Sequence, residues 1–176
     1  MAATLVATID PFEQIKKAND TKVQNAAVEF ETAIVRYYTS QNGFPWWVNT
    51  TSPARTCKTE AGTTGAGTSG SPYIIDAATP KLLNAVQDCI LTLSDLGELK
   101  PSFVNVTGVL DKITLSTDAT GLRPVVCYQP TSKSGKADKA AIYVDNIGTV
   151  DVETINTPTA CLSRGGAVAT CYWCTQ

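Results

Sequence analysis

The longest periodic pattern of the chain lies near its start. Between residues 12 and 37, apolar side chains recur in steps of three and four, apart from one polar gap around Asn19. That spacing places them on one face of an α-helix. Asp10-Pro11 is typical of a helix start, and Asn42-Gly43 is typical of a helix end. The pattern therefore predicts a helix over residues 11–41, about 45 Å long.

An aromatic cluster follows this helix directly. Phe44, Pro45, Trp46 and Trp47 come straight after Asn42-Gly43. Because proline prevents the helix from restarting, we expect the aromatic side chains to fold back onto its apolar face. Residues 49–72, rich in glycine, serine and threonine, are typical of a surface loop.

The second half of the chain changes its period. Residues 79–97 carry a second helical pattern, from Thr79-Pro80 to Gly97, and the period then becomes two. The expected strands are residues 109–115, 122–129, 140–146 and 149–155. A hairpin loop is predicted between Pro130 and Asp138. Helices first and strands afterwards predict an α+β fold, with helices on one face of an antiparallel sheet.

Composition removes several functional classes. The chain has 176 residues, a formal net charge of -2 and no histidine. The commonest general base and every histidine-ligated zinc site are therefore absent, and nothing in the charge supports nucleic-acid binding. Asp88, Asp95 and Glu98 are the carboxylates that could be considered as the catalytic pair of a glycosidase. Their positions on the polar face of the second helix and just after it explain them without catalysis. We therefore expect no catalytic residues and no enzymatic activity.

Acidic residues also cluster around a turn near the end of the predicted sheet. Asp145, Asp151 and Glu153 lie there, without the ligand spacing of an EF-hand. Solvated carboxylates at the edge of strands explain them. The sequence therefore predicts no cofactor and no metal, with calcium at this turn as the alternative.

Six cysteines predict an oxidising compartment and a head held by disulfides. They are Cys57, Cys89, Cys127, Cys161, Cys171 and Cys174. Their spacing argues against a zinc ribbon, and the short end after the CYWC motif argues against a redox dithiol. We prefer a Cys57–Cys89 disulfide, with the other four closing the sheet and tail among themselves. The tail itself is expected to be held by disulfides rather than packed.

The start of the chain resembles a known family. LVATIDPFEQIKKANDTKVQNAAVEFETAIVRYYTSQNGFPWW, from Leu5 to Trp47, is similar to the N-terminal helix of type IV pilins and of type II secretion pseudopilins. The similar elements are an apolar lead-in, Asp10-Pro11, Lys16-Lys17-Ala18, Tyr37-Tyr38 and Asn42-Gly43-Phe44-Pro45. LGELKP, residues 96–101, is similar to a turn after the second helix in many of these proteins. The resemblance is close over residues 2–47, loose over 79–101 and only architectural beyond.

This resemblance implies a fold. A long helix over residues 1–43 would pack on the sheet of a globular head, residues 44–176. Within the head, a connecting region over 44–108 would contain the second helix, and the sheet and its disulfide-held tail would follow over 109–176. The family's apolar start and its processing site match no residue here, so we expect a membrane-anchoring segment before Ala2.

The resemblance also implies a function. The expected protein is a structural subunit of an extracellular, pilus-like filament, anchored in the inner membrane before an assembly platform inserts it. Its partners would be copies of itself and that platform, without nucleic acid, and the missing segment would make the membrane contact. Pro11 would kink the helix. The side chains expected in the filament core are Leu5, Val6, Ile9 and Phe12.

Two alternatives stay open within the same family. The first is a pseudopilin of a type II secretion system. The second is a minor pilin whose head is an adhesive binding module. In that case Trp46, Trp47 or Trp173 would stack on a ligand if they were exposed, although packing in the core is commoner for tryptophan.

Overall fold

The computed structural model describes residues 10–46, 75, 81–106, 108–117, 123–137, 141–143 and 171–175. Side chains at 141–143 and 171 are not part of that description. Several predictions concern residues outside it and stay predictions. They are those for Leu5, Val6, Ile9, Trp47, Cys57, Asp145, Asp151, Glu153, Cys161, the loop at 49–72 and the strand at 149–155.

Helix α1, Pro11–Gln41, has the predicted bounds. The Asp10 side chain caps its start by accepting a hydrogen bond from the Phe12 amide at 3.0 Å. Asn42 ends it in the left-handed conformation, with φ at 54°, and donates its amide to the Tyr38 carbonyl. The buried side chains lie on one face, as the periodicity predicts: Val23, Ala26, Ala27, Phe30, Ala33, Ile34 and Tyr37.

The second helix is shorter than predicted. Strand β1, Lys81–Leu82, and a 3-10 turn, Leu83–Ala85, precede helix α2, Gln87–Asp95. The prediction of helix from residue 79 was wrong because Lys81 and Leu82 pair with another strand, which holds the backbone extended. The predicted stop is confirmed: Gly97 has a φ of 75°, and the Glu98 amide bonds back to the Leu93 carbonyl.

The described strands form one antiparallel sheet with the order β1-β2-β3-β5-β4. The strands after α2 are β2, Ile113–Thr117; β3, Pro124–Tyr128; β4, Ala141–Tyr143; and β5, Cys171–Cys174. A turn over 109–112 replaces the first part of the strand expected from residue 109, because the Lys112 amide bonds to the Val109 carbonyl.

The C-terminal tail corrects two predictions. Its CYWC motif is strand β5, which lies between β3 and β4 and pairs with both. The described end of the tail is therefore part of the sheet rather than only held by disulfides. Because β5 separates β3 from β4, the segment between them is not a hairpin loop. It contains instead a short helix, α3, Lys133–Lys136.

One apolar core joins α1, α2 and the sheet. Phe30 of α1 stacks on Phe103, with ring centroids 5.9 Å apart. Phe44 and Trp46 fold back as predicted: the ring centroids of Phe44 and Tyr38 lie 4.9 Å apart, and Phe44 stacks on Trp46. The protein is an α+β fold in which a long N-terminal helix packs on an antiparallel sheet.

Candidate functional site

The first turns of α1 carry apolar side chains that the head does not cover. Phe12 is 72% exposed and Ile15 is 60% exposed, whereas Phe30 is fully buried. At about 3.6 residues per turn, Phe12 lies five turns before Phe30 and therefore on the same face of the helix. The buried stripe of α1 thus continues beyond the head as an exposed apolar surface. We call Phe12 and Ile15 the exposed end of the stripe.

A buried carboxylate lies between this exposed end and the apolar core. Asp20 is only 7% exposed and accepts hydrogen bonds from four groups of the segment before α3. The donors are the Thr131 amide at 3.0 Å, the Thr131 hydroxyl at 2.8 Å, the Ser132 amide at 2.8 Å and the Ser132 hydroxyl at 2.6 Å. These bonds satisfy the carboxylate and join α1 to residues 131–132.

The ionised form of Asp20 is the stable one in this setting. Burial by itself would raise the pKa of the Asp20 carboxyl. The hydrogen bonds from Ser132 and Thr131 favour the charged form and together outweigh burial, so this pKa lies below its ordinary value. Asp20 is therefore a charged group at neutral pH, although it is almost removed from water.

Glu13 makes a second contact with the same segment, about two helical turns earlier. Its carboxylate accepts the Lys133 amide at 3.0 Å and pairs with the Lys16 ammonium at 3.0 Å. The hydrogen bond from the Lys133 amide is the main reason why the pKa of Glu13 is lowered. Three consecutive amides, at residues 131–133, therefore point to carboxylates of α1.

The segment itself is shaped to fit Asp20. The Ser132 hydroxyl caps α3 by accepting the Gly135 amide at 3.0 Å while it donates to Asp20. A Cβ atom at Gly135 would lie 2.9 Å from Asp20 Oδ2 and 2.9 Å from the Pro130 Cβ. A side chain at this position would therefore displace the Asp20 carboxylate, Pro130 or the Ser132 hydroxyl from the places they occupy.

A third carboxylate of α1 lies near the end of the chain. Glu31 is partly buried, and burial raises its pKa, although a hydrogen bond from Thr175 and the positive charge of Arg123 oppose that rise. Thr175 also contacts β3, since its hydroxyl accepts the Val126 amide at 3.1 Å. Glu31 thus faces the residue that follows β5.

The turn after α2 is tied to α1 on another side. Arg36 pairs with the Glu98 carboxylate at 3.1 Å and also donates to the Glu98 carbonyl. Lys100 lies 3.6 Å from the Glu29 carboxylate. These residues line an open groove of about 540 Å³. Of the three carboxylates considered above, Glu98 therefore lies in this groove and pairs with Arg36. Asp88 and Asp95 lie on α2 and do not line the groove.

One disulfide joins two strands of the sheet. Cys127 of β3 bonds to Cys174 of β5, and the two residues are direct partners in the register. Both belong to the four cysteines that the sequence analysis pairs among themselves. Cys89 is also in a disulfide. Its partner is one of the cysteines whose side chains lie outside the description, so the preferred Cys57–Cys89 pairing stays a prediction.

The described tryptophans belong to the interior. Trp46 and Trp173 are 3% and 8% exposed, so neither offers a free face for a ligand. Over the described residues, histidine, cysteine, aspartate and glutamate side chains form no group of three that could hold a metal ion.

Asp20 has no signal in a pattern of apolar residues alone. It lies three residues before Val23, inside the polar gap around Asn19. An acidic residue on the apolar face of a helix indicates a carboxylate that another segment must satisfy. The position of that segment depends on the tertiary fold and has no signal in the sequence.

The chain matched no protein-family model, no curated protein and no solved structure. In the part of the chain that the structure describes, no helix combines the length and apolarity needed to cross a bilayer. The case for a function therefore depends on the chain's own residues and on the resemblance stated above.

Proposed function

We propose that this chain is a structural subunit of an extracellular, type IV pilus-like filament, and that it assembles through the N-terminal end of α1. The observation that carries the proposal is the exposed end of the stripe. Phe12 and Ile15 continue the face that elsewhere forms the core of the head, yet they remain exposed. A second surface placed on the start of this helix would bury both side chains.

The energetics favour such a cover. Full burial of an apolar side chain of this size stabilises a structure by about 1.5–3 kcal/mol. Phe12 and Ile15 would therefore contribute several kcal/mol to an assembly that covers them. The residues before Asp10 extend this apolar character, since Leu5, Val6 and Ile9 precede it in the sequence. These side chains are the proposed core of the filament.

The head has the properties that an exposed filament surface requires. A long helix packs on an antiparallel sheet, which is the architecture expected from the resemblance to pilins. The Cys127–Cys174 disulfide supports a location outside the cell. We infer that the head faces solvent, that copies of the chain and an assembly platform are its partners, and that its role is structural rather than catalytic.

Labelling of surface filaments tests this proposal. Antibodies raised against the purified chain are applied to cells of the source organism, with immunogold detection, and sheared filaments are analysed by mass spectrometry. We expect gold along the whole filament and this chain as a main component of the sheared fraction. Cells in which the gene is deleted provide the control.

Other labelling patterns have definite meanings. Label only at filament tips would make the chain a minor subunit rather than a main one. Label on short periplasmic structures that depend on a secretion system would make it a pseudopilin. Recovery of the chain only as a free soluble protein, with no labelled filament, would contradict the proposal.

A further inference from the structure

Residues 130–137 meet the start of α1 through polar groups. Asp20 accepts hydrogen bonds from Thr131 and Ser132, and Glu13 accepts the Lys133 amide. Farther along α1, the main contact with the head is the buried apolar stripe, and the ion pairs of Arg36 and Glu29 lie beside it. The same helix is therefore held to the head in two chemically different ways.

The segment depends on the Asp20 carboxylate for its shape. Helix α3 has four residues, too few to be stable alone in water. Its cap, Ser132, uses its hydroxyl both to hold the Gly135 amide and to donate to Asp20. Loss of the negative charge on Asp20 leaves fewer and weaker acceptor sites for the four donor groups that converge on it.

We propose that residues 130–137 form a clasp on α1 that closes on the charged carboxylate of Asp20 and opens as one unit when that charge is lost, while the core behind it stays folded. The clasp would bind and release the start of α1 independently of the apolar stripe. This inference does not depend on the proposed filament function.

Acid is the natural way to open the clasp. The charged and titratable groups of the elements that meet here are Asp10, Glu13, Lys16, Lys17 and Lys22 at the start of α1, Lys133 and Lys136 on α3, and Tyr172 on β5. Glu13 is the other carboxylate that accepts a hydrogen bond from this segment, so a Glu13→Gln variant separates the two carboxylates.

Limited digestion with trypsin provides the first test, because Lys133 and Lys136 are the cleavage sites inside the clasp. The probe is the intact chain at neutral pH, with cleavage positions read by mass spectrometry. For Asp20→Asn we expect cleavage after Lys133 and Lys136 to accelerate about tenfold or more, since cleavage follows the open population. Asp95→Asn, on the exposed surface of α2, is the matched control and should leave these rates unchanged.

The position of cleavage decides between a clasp and general unfolding. Faster cleavage confined to Lys133 and Lys136, with an unchanged near-ultraviolet circular dichroism spectrum, supports the clasp. Equal rates in Asp20→Asn and the parent chain would overturn it. Cleavage that accelerates equally within α1 and α2 would also overturn it, because the segment would then not open as a separate unit.

Hydrogen exchange of the parent chain gives a second test that needs no variant. Exchange is followed from pH 6 to pH 2 by mass spectrometry and corrected for the intrinsic pH dependence of amide exchange. We expect protection of residues 131–137 to fall before that of β2 and β3, and Glu13→Gln to leave the midpoint of this loss in place. Simultaneous loss of protection in the clasp and the sheet would contradict the proposal.

Discussion

The two ends of α1 differ in what holds them. Residues 23–37 bury an apolar stripe against α2 and the sheet, whereas residues 11–20 meet the head through Asp20 and Glu13 and leave Phe12 and Ile15 exposed. One continuous helix thus combines a hydrophobic anchor with a polar attachment. The difference indicates that the anchor carries most of the stability of the contact between α1 and the head, whereas the apolar side chains at the start of α1 contribute little to it.

The physical reason is that separation of the two contacts exposes different groups to water. Separation of the apolar stripe from the head would expose a core, at a cost proportional to the area uncovered. Separation of the polar contact exposes groups that water can satisfy. Separation of the start of α1 should therefore cost less than separation of the stripe, and the proposed assembly would use this difference.

The largest expected contrast is between two phenylalanines of the same face. Phe30→Ala should destabilise the head by about 3–5 kcal/mol, because it leaves a cavity beside Phe103. Phe12→Ala should change the stability by about 0.5 kcal/mol or less, because its side chain already lies in solvent. Urea unfolding of both variants measures the difference. Similar losses of stability in the two variants would show that α1 is not divided in this way.

The second-largest expected loss of stability comes from the sheet on which the apolar stripe packs. Replacement of both Cys127 and Cys174 by alanine removes the disulfide between β3 and β5 and should lower the free energy of unfolding by about 2–4 kcal/mol. Thermal unfolding of this double variant, beside the parent chain under the same non-reducing conditions, measures the loss. A variant as stable as the parent would show that hydrogen bonds alone hold β5 in the sheet.

The polar attachment should respond to pH. Asp20→Asn should cost about 1.5–3 kcal/mol at neutral pH, because the buried donors lose a charged acceptor. Since the pKa of Asp20 is lowered in the folded protein, its contribution is present above its unfolded-state pKa of about 3.9 and is lost as the pH falls through the folded-state value. Unfolding curves from pH 7 to pH 2 should therefore converge for parent and variant at low pH. A pH-independent difference would assign the loss to packing rather than charge.

The smallest expected effect has the opposite sign. Burial raises the pKa of Glu31, so the folded protein disfavours its charge at neutral pH. Glu31→Gln should be more stable than the parent at pH 7 by about 0.5 kcal/mol or less, because the side chain is only partly buried and water still screens its charge. The advantage should disappear below about pH 4, where Glu31 is protonated in both states. Unfolding curves of Glu31→Gln over the same pH range measure this difference in stability. A variant less stable than the parent at pH 7 would show that the hydrogen bond from Thr175 to the ionised carboxylate outweighs the cost of burying its charge.

The parts of the fold that local patterns determine were predictable. Helix α1 has its predicted bounds because Asp10, Pro11 and Asn42 act on their immediate neighbours. Gly97 ends α2 for the same reason. The start of the second helix was predicted wrongly, because pairing with β2 overrides the local helical pattern at Lys81–Leu82.

Long-range pairing explains the other errors. Strand β5 is a short motif at the end of the chain, and its place between β3 and β4 depends on residues far away in the sequence. The hairpin predicted between Pro130 and Asp138 failed because β5 takes the position beside β3. Asp20 was missed because its partners, Thr131 and Ser132, lie more than a hundred residues later.

The most direct test of the proposed role is a single substitution at the exposed end of the stripe. Phe12→Lys is introduced into the native gene, and the amount of the chain in sheared surface filaments is compared with that of Leu91→Lys, a change at an exposed leucine of α2. Both purified heads should keep the unfolding free energy of the parent. The proposed assembly surface predicts that Phe12→Lys is lost from filaments while Leu91→Lys is retained. Normal incorporation of Phe12→Lys would contradict it.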